Sequence, residues 1–370
     1  MLNLRKKLED IKYNNLYRYL RRKENITLDF SSNDYLCLSK HPEVIDAARE
    51  GLKYGLGSTG SRLTSGNINH GVLEEKIAEF KETERALVYP TGYSTNVGVI
   101  SSLCKKGDLI LSDKLNHASI IDGCRLSRAD VEIYDHCNMD NLRNIIEERE
   151  KNYNNIFIIT DGVFSMDGDI APLKDIIKIA EEYSGIVIVD DAHGTGVLGK
   201  GKGTLKHFNL KPTDNIIQIG TLSKAIGGLG GFVCGIEEVI EYLINTSRSF
   251  IYSTALPPSV VSGSIRSLEL IEEGDLSKKL QENICEANRI FKKYNLIKRD
   301  SLTPIYPIVL GEKTMVTSEY LLKNRVFAIG IRYPTVPKGL ERIRISINVE
   351  HRREDFERLC RLLMISFNEI

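Results

Sequence analysis

The feature that most constrains the fold is a regular alternation, between about residues 70 and 260, of short apolar runs with longer helical patterns. The apolar runs are rich in Ile and Val and are too short to be core helices. Helical patterns follow the first three of them, from about residue 92, at about 117–126 and at about 172–184. Buried strands joined by crossover helices favour an α/β fold with a mainly parallel central sheet and helices on both faces. The runs are ALVY (86–89), DLILS (108–112), IFIIT (156–160), IVIVD (186–190) and NIIQIG (215–220).

The pattern changes after about residue 260. Two long helical stretches, at about 258–272 and 276–295, lead into separated strand-like runs and a final helix from about residue 351. This order predicts a smaller C-terminal α+β domain. At the other end of the chain, Leu4 and Leu8 begin an amphipathic helical spacing. We therefore predict three parts, which are an N-terminal arm (1–42), a large domain (43–260) and a small C-terminal domain (261–370).

The composition argues against several classes of function. Fifty Lys and Arg residues balance fifty Asp and Glu residues, so no net charge is available to hold nucleic acid or an anionic membrane. The chain has no run of about 18 apolar residues to span a membrane, and its amino end mixes both charges where a signal peptide is apolar. Its seven cysteines form no C-x-x-C pair, and no H-E-x-x-H motif occurs. We predict a soluble cytoplasmic protein without a metal site.

Gly194, Gly196 and Gly199 have the G-x-G-x-x-G spacing of a dinucleotide-binding loop. In such a loop the first glycine ends a strand and the third begins a helix. Here residues 190–193 intervene before Gly194, and the sequence KGKGT after Gly199 lacks the apolar face of a helix. A dehydrogenase that binds NAD is therefore the less favoured interpretation.

Polar residues gather where the predicted strands end. Asp190 ends IVIVD, His193 follows it, and Lys224 comes shortly after NIIQIG among small residues. Because ligands of parallel sheets bind beyond the carboxyl ends of the strands, these three side chains are expected on one rim. An amine in such a place can be desolvated and lose its proton, as covalent imine chemistry requires.

Six motifs occur in order along the chain, and they are FSSNDYL, GSTGSRLTSG, DKLNHASIIDG, TDGVFSMDGD, VDDAHGTGVLG and TLSKAIGG. Together they resemble the motifs of the α-oxoamine synthases, a pyridoxal-phosphate family within the fold-type I aminotransferases. The resemblance runs from about residue 28 to 350. It implies the fold of the pyridoxal-phosphate-dependent transferases, similar to that of aspartate aminotransferase, with pyridoxal 5'-phosphate as cofactor.

The resemblance assigns roles around the cofactor ring. It implies that Lys224 forms the covalent imine with the cofactor and that Asp190 pairs with the pyridine nitrogen. A carboxylate in that position keeps the nitrogen protonated, which lets the ring accept electrons. It further implies that His193 donates to the phenolic oxygen, with Ser165 nearby, and that His117 stacks on the ring face. Lys224, His117, Asp190 and His193 are thus the expected catalytic residues.

The resemblance also assigns a phosphate site. The backbone amides of Gly92 and Tyr93 open a helical segment, where the helix dipole favours an anion, and Thr221 adds a hydroxyl group. In the family a Ser/Thr pair from the partner subunit completes this site, and Ser253 and Thr254 match the pair. The implied assembly is a homodimer with shared active sites.

For the substrate, the resemblance implies that Asn33 and Arg344 hold the carboxylate of an amino acid. A guanidinium fork suits this task because its two parallel N–H bonds fix the plane of the carboxylate. Arg342 lies two residues away, on the same face of a strand. The position of the motif favours Arg344.

Within the family, GSRLTSG and DDAHGTG are most similar to the members that condense L-alanine with pimeloyl-CoA or pimeloyl-acyl carrier protein, with loss of carbon dioxide, in biotin biosynthesis. A glycine C-acetyltransferase or another α-oxoamine synthase is the alternative, and a binding protein of the same fold without catalysis is a third. Cys37 stands where the family commonly has glycine. The arginine for the acyl carboxylate stays open among Arg18, Arg21 and Arg22.

Overall fold

The computed structural model describes residues 3–14, 16–18, 20 and 25–369, so Arg21 and Arg22 lie outside the described residues. The strands are β1 (Leu28–Asp29), β2 (Arg85–Tyr89), β3 (Leu109–Asp113), β4 (Asp130–Tyr134), β5 (Ile156–Asp161), β6 (Ile186–Asp190), β7 (Ile216–Thr221), β8 (Gly231–Gly235), β9 (Ile305–Val309), β10 (Val326–Phe327), β11 (Ile329–Ile331) and β12 (Arg342–Ser346). The helices are α1 (Leu4–Tyr13), α2 (Pro42–Gly51), α3 (Ile68–Lys81), α4 (Gly92–Leu103), α5 (Ala118–Ser127), α6 (Met139–Arg149), α7 (Leu173–Glu182), α8 (Thr204–His207), α9 (Glu237–Thr246), α10 (Arg248–Ile251), α11 (Pro258–Glu272), α12 (Asp275–Lys293), α13 (Thr314–Lys323) and α14 (Arg353–Glu369). None of these helices has the length and apolar character needed to cross a membrane.

Seven strands of the described chain form the large sheet, in the order β2-β8-β7-β6-β5-β3-β4. Strands β3 to β7 are parallel to one another, and β8 alone is antiparallel to both of its neighbours. Alternate side chains of the strands pack against α6 and α7 on one face and against α4, α5 and α9 on the other. The predicted mainly parallel sheet with helices on both faces is therefore confirmed.

Two strands of the large sheet escaped the sequence pattern. Strand β4, DVEIY, is an edge strand whose first four residues are exposed or half-buried, so it lacks the continuous apolar run of the inner strands. Strand β8, GFVCG, is fully buried but begins and ends with glycine, which is typical of a turn. Both strands were missed because their local composition does not favour a buried strand, and pairing within the sheet determines their structure instead.

The register of the parallel strands brings polar residues to one edge. Asp161 at the end of β5 pairs with Asp190 at the end of β6, and Asp190 pairs with Ile219 of β7. Thr221 ends β7, and Lys224 follows three residues later. The carboxyl edge of the sheet therefore carries the polar groups that the sequence placed at separate strand ends.

A second region of strands carries Arg344. Strands β11, β12 and β9 form an antiparallel sheet, and Arg344 of β12 lies opposite Ile329 and Pro307. Strand β1, from the N-terminal segment, pairs in parallel with β10. The domain boundaries at residues 42 and 260 stay predictions, and α11 runs through the second of them.

The glycine-rich run encloses a buried ion pair. The Lys81 Nζ lies 2.7 Å from Asp191 Oδ2, and both side chains are fully buried. A Cβ atom on Gly194 or on Gly203 would overlap the Asp191 carboxylate, so only glycine lets the loop close around this group. The chain after Gly199 forms a single 3-10 turn, which is not the helix that a dinucleotide loop requires. Gly194 and Gly203 thus serve the packing of Asp191.

Replacing Lys81 with methionine should lower the free energy of unfolding by about 3–5 kcal/mol. The substitution leaves the Asp191 carboxylate buried without its cation, and breaking one partner of a buried pair costs about this much. Urea unfolding followed by circular dichroism measures the change. The matched control is Lys202→Met, because Lys202 pairs with Glu82 at 2.9 Å on the surface and such pairs contribute about 1 kcal/mol or less. Equal losses in the two variants would contradict the structural importance assigned to the buried pair.

Candidate active site

Lys224 is the amine at the carboxyl edge of the large sheet. Its side chain is half-buried, and burial lowers its pKa to about 8. The negative charges of Asp190 and Asp161 raise this pKa, whereas the positive charge of Arg344 lowers it further. At pH 7 about one amine in ten is therefore neutral, which is far more than for an ordinary lysine with a pKa of about 10.4. Lys224 is consequently available as a nucleophile near neutral pH.

Asp190 is held by two donors. Its Oδ2 accepts a hydrogen bond from Asn96 Nδ2 at 2.6 Å, and its Oδ1 accepts one from the backbone N–H of Ala192 at 2.9 Å. The residue is 6% exposed. Because Asn96 lies in the first turns of α4, this hydrogen bond fixes the strand-end carboxylate relative to the start of a helix.

His117 is both a helix cap and a ring at the edge of the site. It caps α5, and its Nδ1 lies 2.7 Å from Ser119 Oγ, which in turn accepts a hydrogen bond from Asn96 at 2.9 Å. Its backbone N–H donates to Asp161 Oδ2 at 2.9 Å. Burial lowers the pKa of His117, although the negative charge of Asp190 acts in the opposite direction. The imidazole is therefore neutral at pH 7, and its surface remains exposed.

His193 is buried and neutral. Burial lowers its pKa well below the ordinary value, and the positive charges of Lys224 and Arg344 act in the same direction. Its Nδ1 lies 2.8 Å from the hydroxyl group of Tyr35. When Tyr35 donates to Nδ1, the single proton of the neutral imidazole is on Nε2, which leaves Nε2 as a donor.

Arg344 and Asn33 form one cluster. Arg344 Nη1 donates to Asn33 Oδ1 at 3.2 Å, and Arg344 Nη2 lies 3.4 Å from the hydroxyl oxygen of Tyr35. Arg344 Nε donates to the backbone carbonyl of Ser165 at 2.5 Å. Arg342 on the same face is instead engaged in an ion pair with Asp167. Arg344 forms no ion pair with a carboxylate of the described residues, so the geometry favours Arg344 over Arg342 as the fork for a substrate carboxylate.

A helix start next to Thr221 provides an anion site. Helix α4 begins at Gly92, and the side chain of Thr91 caps the amide of Ser94. In the described part of the chain, the amides of Gly92 and Tyr93 have no protein acceptor. A Cβ atom on Gly92 would lie 3.2 Å from Thr221 Oγ1, so this hydroxyl group lies beside the two free amides, while its own hydrogen is donated to the carbonyl oxygen of Gly230 at 2.8 Å. Free amides at a helix start suit a phosphate group.

The roles given to the predicted site residues all stay predictions, and three of the predicted contacts involve groups outside this chain. Ser253 is half-buried and Thr254 is exposed after α10, and their contribution to a partner's site concerns a second chain. Ser165 contacts Arg344 through its backbone carbonyl, and its predicted closeness to a phenolic oxygen is not tested by this contact. Arg18 is exposed, and Arg21 and Arg22 lie outside the described residues.

The comparisons with known proteins agree with this geometry. The family model of the aminotransferases of class I and II matches residues 25–363. A relative from Methanocaldococcus jannaschii, provisionally named an 8-amino-7-oxononanoate synthase, is 74% identical over 96% of both chains. The 8-amino-7-oxononanoate synthase of Thermoanaerobacter pseudethanolicus is 46% identical over 96% of this chain and 94% of its own. A solved structure of SPT with PLP as internal aldimine superposes with a TM-score of 0.91 at 26% identity, over 100% of this chain and 97% of that one.

The chain belongs to the class I and II aminotransferases. Within them it is a member of the α-oxoamine synthases, as the motifs predicted. The predicted transferase fold, similar to that of aspartate aminotransferase, is confirmed by the same comparisons.

The described residues fit pyridoxal phosphate, the cofactor of this family. The amine of the half-buried Lys224 suits the cofactor's aldehyde, and the fixed carboxylate of Asp190 suits a protonated pyridine nitrogen. The free amides of Gly92 and Tyr93 suit a phosphate group. The neutral, accessible imidazole of His117 suits an aromatic face.

Sequence reasoning missed three residues of the site. Asn96 links Asp190 to Ser119, and Ser119 links Asn96 to His117. Tyr35 joins His193 to Asn33. A signal was present for each, because Asn96 is a polar residue four positions after Gly92, on the inner face of the helix. Ser119 and Tyr35 lie two residues after the predicted His117 and Asn33.

Acetylation of the protein freed of pyridoxal phosphate should show a midpoint for Lys224 near pH 8. The neutral amine is the reactive form, so labelling by an active ester rises as pH passes the pKa. Peptide mass spectrometry over pH 6–10 measures it. Asp190→Asn should move the midpoint lower, because Asp190 raises this pKa, and Arg344→Gln should move it higher, because Arg344 lowers it. A midpoint near the ordinary value of about 10.4, or shifts of the reverse sign, would contradict this electrostatic account.

Proposed function

We propose that this protein condenses L-alanine with a pimeloyl thioester, carried on coenzyme A or on an acyl carrier protein, and releases 8-amino-7-oxononanoate, carbon dioxide and the free thiol. This is a step of biotin biosynthesis. The observation that carries the proposal is the arrangement of Lys224 and Asp190 beside the Arg344–Asn33 cluster, in a chain 74% and 46% identical to proteins named for this activity. The acyl thioester substrate would place the enzyme in the cytoplasm.

When bound, pyridoxal phosphate supplies an electron sink for the α-carbon of the amino acid. Lys224 would hold the cofactor through its amine. Asp190 would keep a proton on the pyridine nitrogen, and its hydrogen bond from Asn96 would prevent it from turning away. His117 would pack against the ring face, and His193 would donate from Nε2 to the phenolic oxygen.

The Arg344–Asn33 cluster holds the substrate carboxylate. Arg344 is 4% exposed, so its charge is little screened and the pair that it forms with a carboxylate is strong. Fixing the carboxylate also fixes the direction of the α-carbon–hydrogen bond. The amine of Lys224, once displaced, accepts the α-proton, and its pKa of about 8 suits a general base near neutral pH.

We further propose that the protein works as a homodimer with shared active sites. Ser253 and Thr254 would then complete the phosphate site of the partner subunit. Large apolar side chains are exposed in the single chain, and Leu56, Leu63 and Ile68 lie together in one short segment at 84%, 55% and 73% exposure. Exposed apolar side chains that are grouped in this way more often belong to an interaction surface than to a surface that stays in water.

Kinetic comparison of amino acids and acyl thioesters tests the activity. We expect the protein loaded with pyridoxal phosphate to use alanine with pimeloyl thioester at a kcat/KM at least about tenfold above any pairing of glycine or serine with acetyl, succinyl or palmitoyl thioesters. Release of carbon dioxide and mass spectrometry of the aminoketone measure it. Lys224→Ala should lower kcat/KM about a thousandfold or more. Lys200 is exposed, and Lys200→Ala should have the kcat/KM of the wild type. Faster turnover of glycine with acetyl-CoA would replace this proposal with a glycine C-acetyltransferase.

Sedimentation equilibrium tests the assembly. The chain has a mass of 41.7 kDa, so the expected particle has about twice this mass. Charged substitutions of Leu56 and Ile68 should shift the equilibrium toward single chains and reduce the binding of pyridoxal phosphate. A monomer with full cofactor occupancy would contradict the shared site.

A further inference from the structure

His136 bridges two carboxylates outside the site described above. It follows β4, and its Nδ1 lies 2.9 Å from Asp113 Oδ1 at the end of β3. Its Nε2 lies 2.7 Å from Asp169 Oδ2, in the loop that follows β5. The ring of Phe164 packs edge-on against the imidazole, with 4.4 Å between centroids. Two carboxylates on different elements are thus joined through one ring.

The hydrogen bonds define the charge of this ring. An ionised carboxylate only accepts hydrogen bonds, so both nitrogens of His136 must donate, and the imidazole must carry two protons. Burial alone would lower the pKa of His136, but the hydrogen bonds to Asp113 and Asp169 raise it to about 12. Cys137 Sγ also faces the ring, at 3.7 Å from each nitrogen. The imidazolium is therefore the stable form at physiological pH.

A proton, not a metal ion, joins these groups. Donor atoms of Asp113, His136 and Cys137 lie within 4.8 Å of one another, which is close enough for a metal site. Both ring nitrogens are already satisfied by carboxylates, however, and Asp113 Oδ2 accepts the backbone N–H of Cys137 at 3.0 Å. The two ring nitrogens and the Asp113 carboxylate already have hydrogen-bond partners, so the two ring protons suffice to join these groups.

The loop held by His136 also contacts the substrate arginine. We call residues 163–170 the Ser165 loop. On one side Asp169 binds His136, and on the other the carbonyl of Ser165 accepts the hydrogen bond from Arg344 Nε at 2.5 Å. Within the loop, the N–H of Gly168 donates to Phe164 O at 2.8 Å and the N–H of Phe164 donates to Asp169 O at 3.0 Å. The loop is therefore a short, internally bonded connection between the imidazolium and the guanidinium.

We propose that His136, as an imidazolium held between Asp113 and Asp169, is a positioning residue that sets the Ser165 loop and through it the orientation of Arg344 toward the amino-acid carboxylate. This inference rests on the proposed function, since it gives Arg344 a substrate. The direct contacts of Arg344 are with Asn33, Tyr35, Ser346 and Ser165, and only the last belongs to a loop anchored on the large sheet. Loss of the anchor should therefore affect the amino acid more than the acyl thioester.

Two variants test the kinetic consequence. Asp169→Asn keeps the shape of a half-exposed side chain and removes its charge, and His136→Gln removes the bridge. We expect each to raise the KM for the amino acid about tenfold while kcat and the KM for the acyl thioester stay within about twofold. The matched control is Asp135→Asn, an exposed carboxylate beside His136 that pairs with Lys114 at 3.2 Å and should leave all three constants unchanged. Equal changes in all constants, or none in either variant, would overturn the positioning role.

Two measurements are independent of turnover. Nuclear magnetic resonance of the loaded wild-type protein, labelled at histidine, should show one doubly protonated imidazole that persists to about pH 9 and disappears in His136→Gln. Hydrogen exchange should be faster at the amides of Phe164 and Gly168 in both variants than in the wild type or in Asp135→Asn. A neutral His136, or unchanged exchange in the loop, would refute the proposal even if the enzyme is active. If the substrate panel instead shows no turnover while both measurements agree, the proposed function fails and the anchored loop stands.

Discussion

The site depends on bringing opposite charges together at the carboxyl edge of a parallel sheet, in a place with little water. Burial alone would leave Lys224 with a much reduced affinity for a proton, and the carboxylates at the ends of β5 and β6 partly restore it. The balance sets the pKa of Lys224 at about 8, so that a usable fraction of the amine is neutral near pH 7. Because register places Asp161 beside Asp190, the backbone itself determines which charges face the amine.

The second layer of the site consists of hydrogen bonds that limit rotation. Asn96 holds Asp190, Ser119 holds His117, and Asn96 also joins these two pairs. The adjacent Asp191 faces the opposite way, into an ion pair with Lys81 that is closed from water. Two successive aspartates therefore have different surroundings, since Asn96 holds Asp190 at the carboxyl edge of the sheet, whereas Asp191 anchors the turn that carries both. Side chains restrained in this way hold catalytic geometry better than free ones do.

Much of this arrangement was predictable from the sequence, for a physical reason. Lys224, Asp190, His193 and His117 each follow or end an apolar run, and parallel strands bring such positions to one edge. Strands β4 and β8 were missed because an exposed edge and flanking glycines hide the apolar signal. The glycine spacing alone does not show what the glycines accommodate, and the structure shows that those at 194 and 203 make room for Asp191.

The contacts between distant segments could not be predicted in the same way. Tyr35, Asn96 and Ser119 lie close in sequence to predicted site residues, but each also bonds a distant partner, and residue spacing does not identify that partner. These distant pairs are Tyr35–His193, Asn96–Asp190 and Ser119–Asn96. Cys37 shows the converse, because its backbone has a left-handed φ of 56°, a conformation that explains why glycine is common there in the family.

Tyr35 has a further consequence. Its hydroxyl group has one hydrogen and faces two acceptors, Asn33 Oδ1 at 3.2 Å and His193 Nδ1 at 2.8 Å. Asn33 and His193, which are proposed to bind the substrate and the cofactor, therefore share a single hydrogen, and only one of them can hold it at a time.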